Sequence, residues 1–170
     1  MKPSTVVFMG VCGCGKSSVA ELYAARTGSQ LVEADTFHPP ANIAKMTAGQ
    51  PLTDADRQQW LEALAARIAH GKADGKSLSV TCSALKKSYR NLLRRGDDQM
   101  VFVHLTGTPE LLAQRMQSRQ GHFMPPSLLA SQLQILEAPQ RPEELCLTID
   151  ITPSVAEICN QVIAQLAILP

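Results

Sequence analysis

The chain carries almost no net charge: 16 Lys and Arg stand against 15 Asp and Glu, a formal +1 over 170 residues. Without an excess of either sign there is no electrostatic case for nucleic acid or a membrane surface as partner, so any bound anion must be held by local charge. No apolar stretch approaches the length of a bilayer span, and the amino terminus lacks the apolar segment of a signal peptide, which predicts a cytoplasmic protein. Metal-ligand spacing is missing as well. The five cysteines, Cys12, Cys14, Cys82, Cys146 and Cys159, are odd in number and form no zinc-type pattern, so they read as free thiols in a reducing compartment. Internal repeats, linkers and low-complexity tracts are also absent, which predicts one domain over residues 1–170, long enough to bury a core without staples.

What is present is an ordinary globular composition, 45% hydrophobic and 18% charged. It is organised as short apolar runs, each followed by helical periodicity. Candidate strands are Thr5 to Met9, Gln30 to Ala34, Ser77 to Cys82, Met100 to Leu105 and Leu147 to Ile151. Strands alternating with helices predict an α/β fold with a parallel sheet covered on both faces. Thr53 to Asp56 reads as a capped helix start ahead of Trp60, Leu61, Leu64 and Ile68, with Gly71 as the stop. Thr108, Pro109 and Glu110 give a cap, an N1 proline and an acidic first turn. Ser83 is the expected cap of a helix that turns Leu85, Tyr89, Leu92 and Leu93 inward.

The most informative stretch is "GVCGCGKSS", Gly10 to Ser18, between the apolar run Val6 to Met9 and the helical pattern Val19, Leu22, Tyr23. Gly10, Gly15, Lys16 and Ser17 satisfy the phosphate-loop spacing. Its glycines let successive backbone N–H groups turn inward around a polyphosphate, and the following helix adds its positive end. Lys16 is placed to reach the outer phosphates, and the Ser17 hydroxyl to ligate Mg²⁺. Cys12 and Cys14 fill positions that need only be small.

Ligands of such sheets collect beyond the carboxyl ends of the strands. Asp35 follows the second strand, where a carboxylate can serve Mg²⁺ or a reacting hydroxyl, and His38 and Lys45 come soon after. Lys86 and Arg90, four apart beyond the third strand, are expected to share a polar helix face. With Lys45 and Arg57 they suit a small anionic substrate. Arg115 and Arg119, ahead of the Gly121-His122 and Pro125-Pro126 breaks, read as cations on a lid spanning about 115–137.

In this order and spacing, "GVCGCGKSS", "ADTFHPPANIAKMTAGQPLTDADRQQWL", "CSALKKSYRNLLR" and "RQGHFMPPSLLASQLQILEAP" resemble the gluconate kinases, small relatives of the shikimate and adenylate kinases. The resemblance covers nearly the whole chain. It implies a three-layer α/β/α phosphate-loop kinase with a five-stranded parallel sheet in the order 2-3-1-4-5 and a small helical lid. It implies transfer of the ATP γ-phosphoryl group to D-gluconate with Mg²⁺ required, and a homodimer. It assigns ATP and Mg²⁺ to Gly10, Gly13, Cys14, Gly15, Lys16, Ser17 and Ser18, with Arg115, Arg119 and Pro153 beside the nucleotide. Catalysis then falls to Lys16, Asp35 and Arg119, the metal to Ser17 and Asp35, and the sugar acid to Asp35, His38, Lys45, Arg57, Lys86, Arg90 and His122. Where the family often has Asp-Gly-Asp, this chain reads Glu33-Ala34-Asp35, which puts the acid's role on Asp35. Thr81, Cys82 and Ser83 end the third strand without an aspartate, so Asp35 is expected to serve both metal and substrate. A shikimate-type or nucleoside monophosphate kinase, or a regulatory module without turnover, are the alternatives.

Overall fold

Val6, Val7, Phe8 and Met9 are each no more than 1% exposed, as a strand needs to be when helices cover both its faces. They form β1 (Thr5–Met9), the middle strand of the sheet in the computed structural model, which describes residues 3–118 and 127–170. Around it lie β2 (Gln30–Glu33), β3 (Leu78–Thr81), β4 (Val101–Thr106) and β5 (Cys146–Asp150), all parallel, in the order β2-β3-β1-β4-β5. This is the expected topology, and each strand lies within one residue of its expected bounds.

The helices are α1 (Lys16–Thr27), α2 (Pro40–Thr47), α3 (Asp54–Ala73), α4 (Lys87–Leu93), α5 (Pro109–Gln117), α6 (Ser127–Ile135) and α7 (Val155–Ala167). Right-handed crossovers decide their layers. The step from β1 out to β2 puts α1 on one face, where it packs on α7. The steps from β2 back through β3 to β4 run the other way and place α3 and α4, which pack together, on the opposite face. Because β1 hands the chain to one face and its neighbours hand it to the other, a crevice opens at its carboxyl end. No helix among the described residues is long and apolar enough to cross a membrane.

The predicted caps at Thr53 and Thr108 are present: Thr53 and Asp56 form a reciprocal capping box, and Thr108 accepts from Leu111 N at 3.2 Å. Gly71 does not stop α3, which runs on to Ala73. The third region differs more. Ala84 takes a left-handed conformation with φ 46°, and the helix begins only at Lys87 with Lys86 extended before it. Lys86 and Arg90 therefore share no helix face.

Arg90 is instead 1% exposed. Its Nε and Nη2 donate to Glu144 at 2.8 and 2.9 Å, its Nη1 donates to Ala84 O at 2.8 Å, and Arg94 reaches the same carboxylate at 2.8 Å. Burial alone would raise the Glu144 carboxyl, but the two guanidinium groups outweigh it and hold it below its ordinary value. Arg90→Ala strands a buried carboxylate, so it is expected to cost about 3–5 kcal/mol of stability. Denaturant melts test this; a stability loss under about 1 kcal/mol would show that Arg94 suffices for Glu144.

Candidate active site

The loop after β1 is shaped by what surrounds it. A Cβ on Gly13 would sit 2.8 Å from Leu112 O and 2.9 Å from Met116 Cγ, so α5 leaves room for glycine alone there. Gly10, at φ +145°, would strike Leu105 O at 2.8 Å. The loop is thus held between the ends of β4 and α5 with little freedom to collapse, as a preformed anion cradle must be. Lys16 Nζ lies back on the loop's own carbonyls, 3.0 Å from Gly10 O and 3.2 Å from Val11 O. Both bonds are exchangeable for a phosphate.

Ser17 Oγ donates to Glu33 Oε2 at 3.2 Å, and Thr81 Oγ1 donates to the same oxygen. Register explains the meeting: Glu33 pairs with Thr81 across β2 and β3, and Thr81 pairs with Phe8 on β1. The carboxylate beside Ser17 is therefore Glu33, where Asp35 had been expected. The strand ends at Glu33, and the chain turns through a 3-10 segment, Ala34–Phe37, which carries Asp35 away from the alternation. Asp35 lines the cavity further on, facing His38, with its Oδ1 4.0 Å from His38 Nε2. A hydroxyl and a carboxylate at Ser17 and Glu33 fit a hard divalent cation that keeps waters and phosphate oxygens as its other ligands. Among the described residues no cluster of three or more His, Cys, Asp or Glu forms a cage for a metal without phosphates.

The acceptor side of the cavity is built on α2 and α3. Trp60 Nε1 donates to Ala34 O at 2.7 Å, and its ring stacks on His38 with centroids 4.0 Å apart. Asn42 Nδ2 donates to Asp56 O at 2.8 Å and to His38 Nδ1 at 3.2 Å. Nδ1 thus accepts, which leaves the hydrogen of the neutral ring on Nε2, towards Asp35. Burial lowers the His38 pKa to about 4, with Asp35 opposing and Arg57 reinforcing the shift. His104, buried on β4, is lowered to about 4 by burial, then by Arg90 and Lys16.

Both histidines bind protons more weakly folded than unfolded. Their neutral state favours the fold above about pH 6.5, and that contribution is lost as pH falls towards 4. The melting temperature is expected to drop across this window, and His104→Gln to make the drop shallower. A parental slope in that variant would refute the contribution of His104.

Arg57 is 7% exposed and lines the cavity. It donates to Leu52 O and, at 3.2 Å, to Tyr89 Oη, with its guanidinium 5.3 Å from the Tyr89 ring centre. No carboxylate pairs with it among the described residues. The other expected cations are matched: Lys45 lies 2.7 Å from Asp56 and Lys86 3.2 Å from Asp54, both acids on the first turn of α3. Hydrogen bonding from Lys45, then from Thr53, pulls Asp56 to about 2. Arg115 donates to Ile151 O at 2.7 Å, tying α5 to the segment that carries Pro153. Arg119 and His122, with the middle of the expected lid, lie outside the described residues.

A parallel sheet in this order, with a phosphate loop on its middle strand and beside it a cavity holding an acid and a cation that has no carboxylate partner among the described residues, defines a phosphate-loop kinase. The family model described as "Shikimate kinase" matches residues 12–166. A gluconokinase of Gluconobacter oxydans is 50% identical over 139 residues, 82% of this chain and 78% of that protein. Among solved structures, a sugar kinase from Janibacter superposes with TM-score 0.92 at 44% identity, covering 98% of this chain and 95% of the other. A gluconokinase from Sinorhizobium meliloti gives 0.87 at 46% identity over 97% and 92%. The chain belongs to the gluconokinase family, a family of ATP-dependent phosphotransferases that work with a divalent metal.

Proposed function

We propose that this chain transfers the terminal phosphoryl group of ATP to the 6-hydroxyl of D-gluconate, giving ADP and 6-phospho-D-gluconate, with Mg²⁺ as the metal. The observation that carries the reading is the buried Arg57, whose partners at the cavity wall are all neutral. A buried cation without a counter-ion is costly, and a substrate carboxylate supplies the missing charge as a two-pronged partner. The naming of the acid as gluconate is supported by the relatives of G. oxydans and S. meliloti.

In this mechanism the amides of Gly13, Cys14, Gly15 and Ser18 cradle the phosphates, and Lys16 leaves Gly10 and Val11 for the outer ones. Ser17 and Glu33 would hold Mg²⁺, which would supply positive charge against the phosphates. Asp35, with the Nε2 hydrogen of His38 towards it, orients the 6-hydroxyl and takes its proton as the oxygen bonds to the γ-phosphorus and the bond to ADP breaks. Arg57 holds the carboxylate end. Lys45 and Lys86 act from the rim with their acids, and Arg90 acts from behind the wall by fixing the β3–α4 segment. Arg115, Arg119 and His122 complete the site from the lid at 115–137, and Pro153 lies by the adenine. The same reading makes residues 1–170 one domain and the protein a cytoplasmic homodimer.

ADP formation measured with gluconate, shikimate and nucleoside monophosphates tests the substrate. Gluconate is expected to be preferred by orders of magnitude; ATP turnover indifferent to gluconate would overturn the reading. Arg57→Ala is expected to raise the KM for gluconate by about thirtyfold or more while the KM for ATP stays within about threefold.

A further inference from the structure

Gln132, on α6, reaches across the cavity mouth to the phosphate loop, where its Oε1 accepts the Cys12 N–H at 2.8 Å. That bond fixes which way the carboxamide faces. With the oxygen spent on the loop, the two Nε2 hydrogens are turned from it, and they meet no acceptor among the described residues. The side chain lines the same cavity as Lys16, Asp35, His38 and Arg57. Its neighbour Ser131 is not an equivalent donor, since its hydroxyl is returned to Leu128 O at 3.0 Å. The helix behind Gln132 is well held: Leu128 and Leu129 are buried, Glu137 N donates to Leu85 O at 2.7 Å, and the Glu137 carboxylate accepts from Lys87 N at 2.8 Å. A donor on so fixed a support is positioned to read a substrate oxygen.

Its tether to Cys12 limits which oxygen that is. A carboxamide bound to the phosphate loop reaches only the end of the acceptor nearest the phosphates. There the reacting hydroxyl gives its lone pair to phosphorus and its proton to Asp35. The next oxygen along the chain, on C5, is the one left to accept. We propose that Gln132 is a specificity-determining residue: Oε1 holds the Cys12 amide, and Nε2 donates to the C5 hydroxyl of the sugar acid, so that the configuration at C5 is read by a group bonded to the phosphate loop. The proposal rests on the reading of the acceptor as gluconate.

Steady-state kinetics with D-gluconate, 5-deoxygluconate and the C5 epimer test it, in the parent, Gln132→Met and Gln132→Glu. The parent is expected to favour D-gluconate over both analogues by at least about tenfold in kcat/KM, because a half-buried donor that the bound acceptor covers but does not match penalises a substrate lacking the C5 oxygen in the right place. Gln132→Met, of similar length but without donors, is expected to bring that preference within about threefold, chiefly by lowering activity on D-gluconate. Gln132→Glu keeps an oxygen for Cys12 and is expected to lose the preference equally. A role confined to bracing the loop would leave the preference intact in both variants. Equal use of the three substrates by the parent, unchanged preference in Gln132→Met, or its retention in Gln132→Glu would each overturn the proposal. A parent that fails to phosphorylate D-gluconate at all would instead bring down the substrate assignment, and this inference with it.

Discussion

Lys16→Ala is expected to lower kcat/KM by about a thousandfold or more, since the phosphate-loop lysine supplies a charge to the phosphates that move. The fold is expected to survive intact. In the empty loop the ammonium group meets only Gly10 O and Val11 O, with the Cys14 sulfur at 3.8 Å, and it balances no buried carboxylate. Lys16 lines the cavity, so water can enter the space its side chain leaves and bond the two freed carbonyls, and the cost in stability is small, about 1 kcal/mol. The measurement is a pair: coupled ADP release for activity and a thermal melt for stability. Activity within tenfold of the parent would overturn the assignment of the loop. A melting temperature lowered by many degrees would mean that Lys16 also braces the fold. Gly13→Ala should fail differently, because its Cβ would be driven into Leu112 O, moving the loop and α5 together.

Much of this architecture was legible because it depends on local pattern. A strand buried on both faces must be an apolar run, and a helix starting at a polar loop must carry its cap; Thr5–Met9 and the box at Thr53 follow directly. The phosphate loop was legible for the same reason, since its chemistry is in its own backbone. The misreadings share a different cause, a partner far away in sequence. Arg90 looked like a cation on a polar helix face, open to a substrate anion, because Glu144, 54 residues on, cannot be seen from its helix. Lys86 looked helical because nothing in Ser83-Ala84-Leu85 announces a left-handed Ala84. Gln132 lies inside the stretch that ends at Pro139, but nothing local sets it apart from its neighbours, since its contact with Cys12 spans 120 residues.

Glu33 is the instructive case, because what the sequence left unseen was geometry rather than chemistry. An acid was sought just beyond the strand, and Asp35 was chosen because it keeps the last acid of the family pattern. The 3-10 turn at Ala34 separates the two acids, giving Glu33 to Ser17 and Thr81 and leaving Asp35 with His38. Two acids in two surroundings imply two roles, and their isosteric amides should fail in distinguishable ways. Asp35→Asn keeps the shape but cannot take a proton, so kcat is expected to fall about a hundredfold with the Mg²⁺ requirement unchanged. Glu33→Gln removes the charge beside Ser17, so saturation with Mg²⁺ is expected to shift about tenfold or more to higher concentration. Part of its lost activity should then return at high Mg²⁺, whereas Asp35→Asn should gain nothing from added metal. The decisive experiment is a Mg²⁺ titration of kcat at saturating ATP and gluconate in both variants. If Asp35→Asn shifted the metal requirement and Glu33→Gln did not, the two roles would have to be exchanged. The contact between Ser17 and Glu33 would then be a feature of the empty site alone.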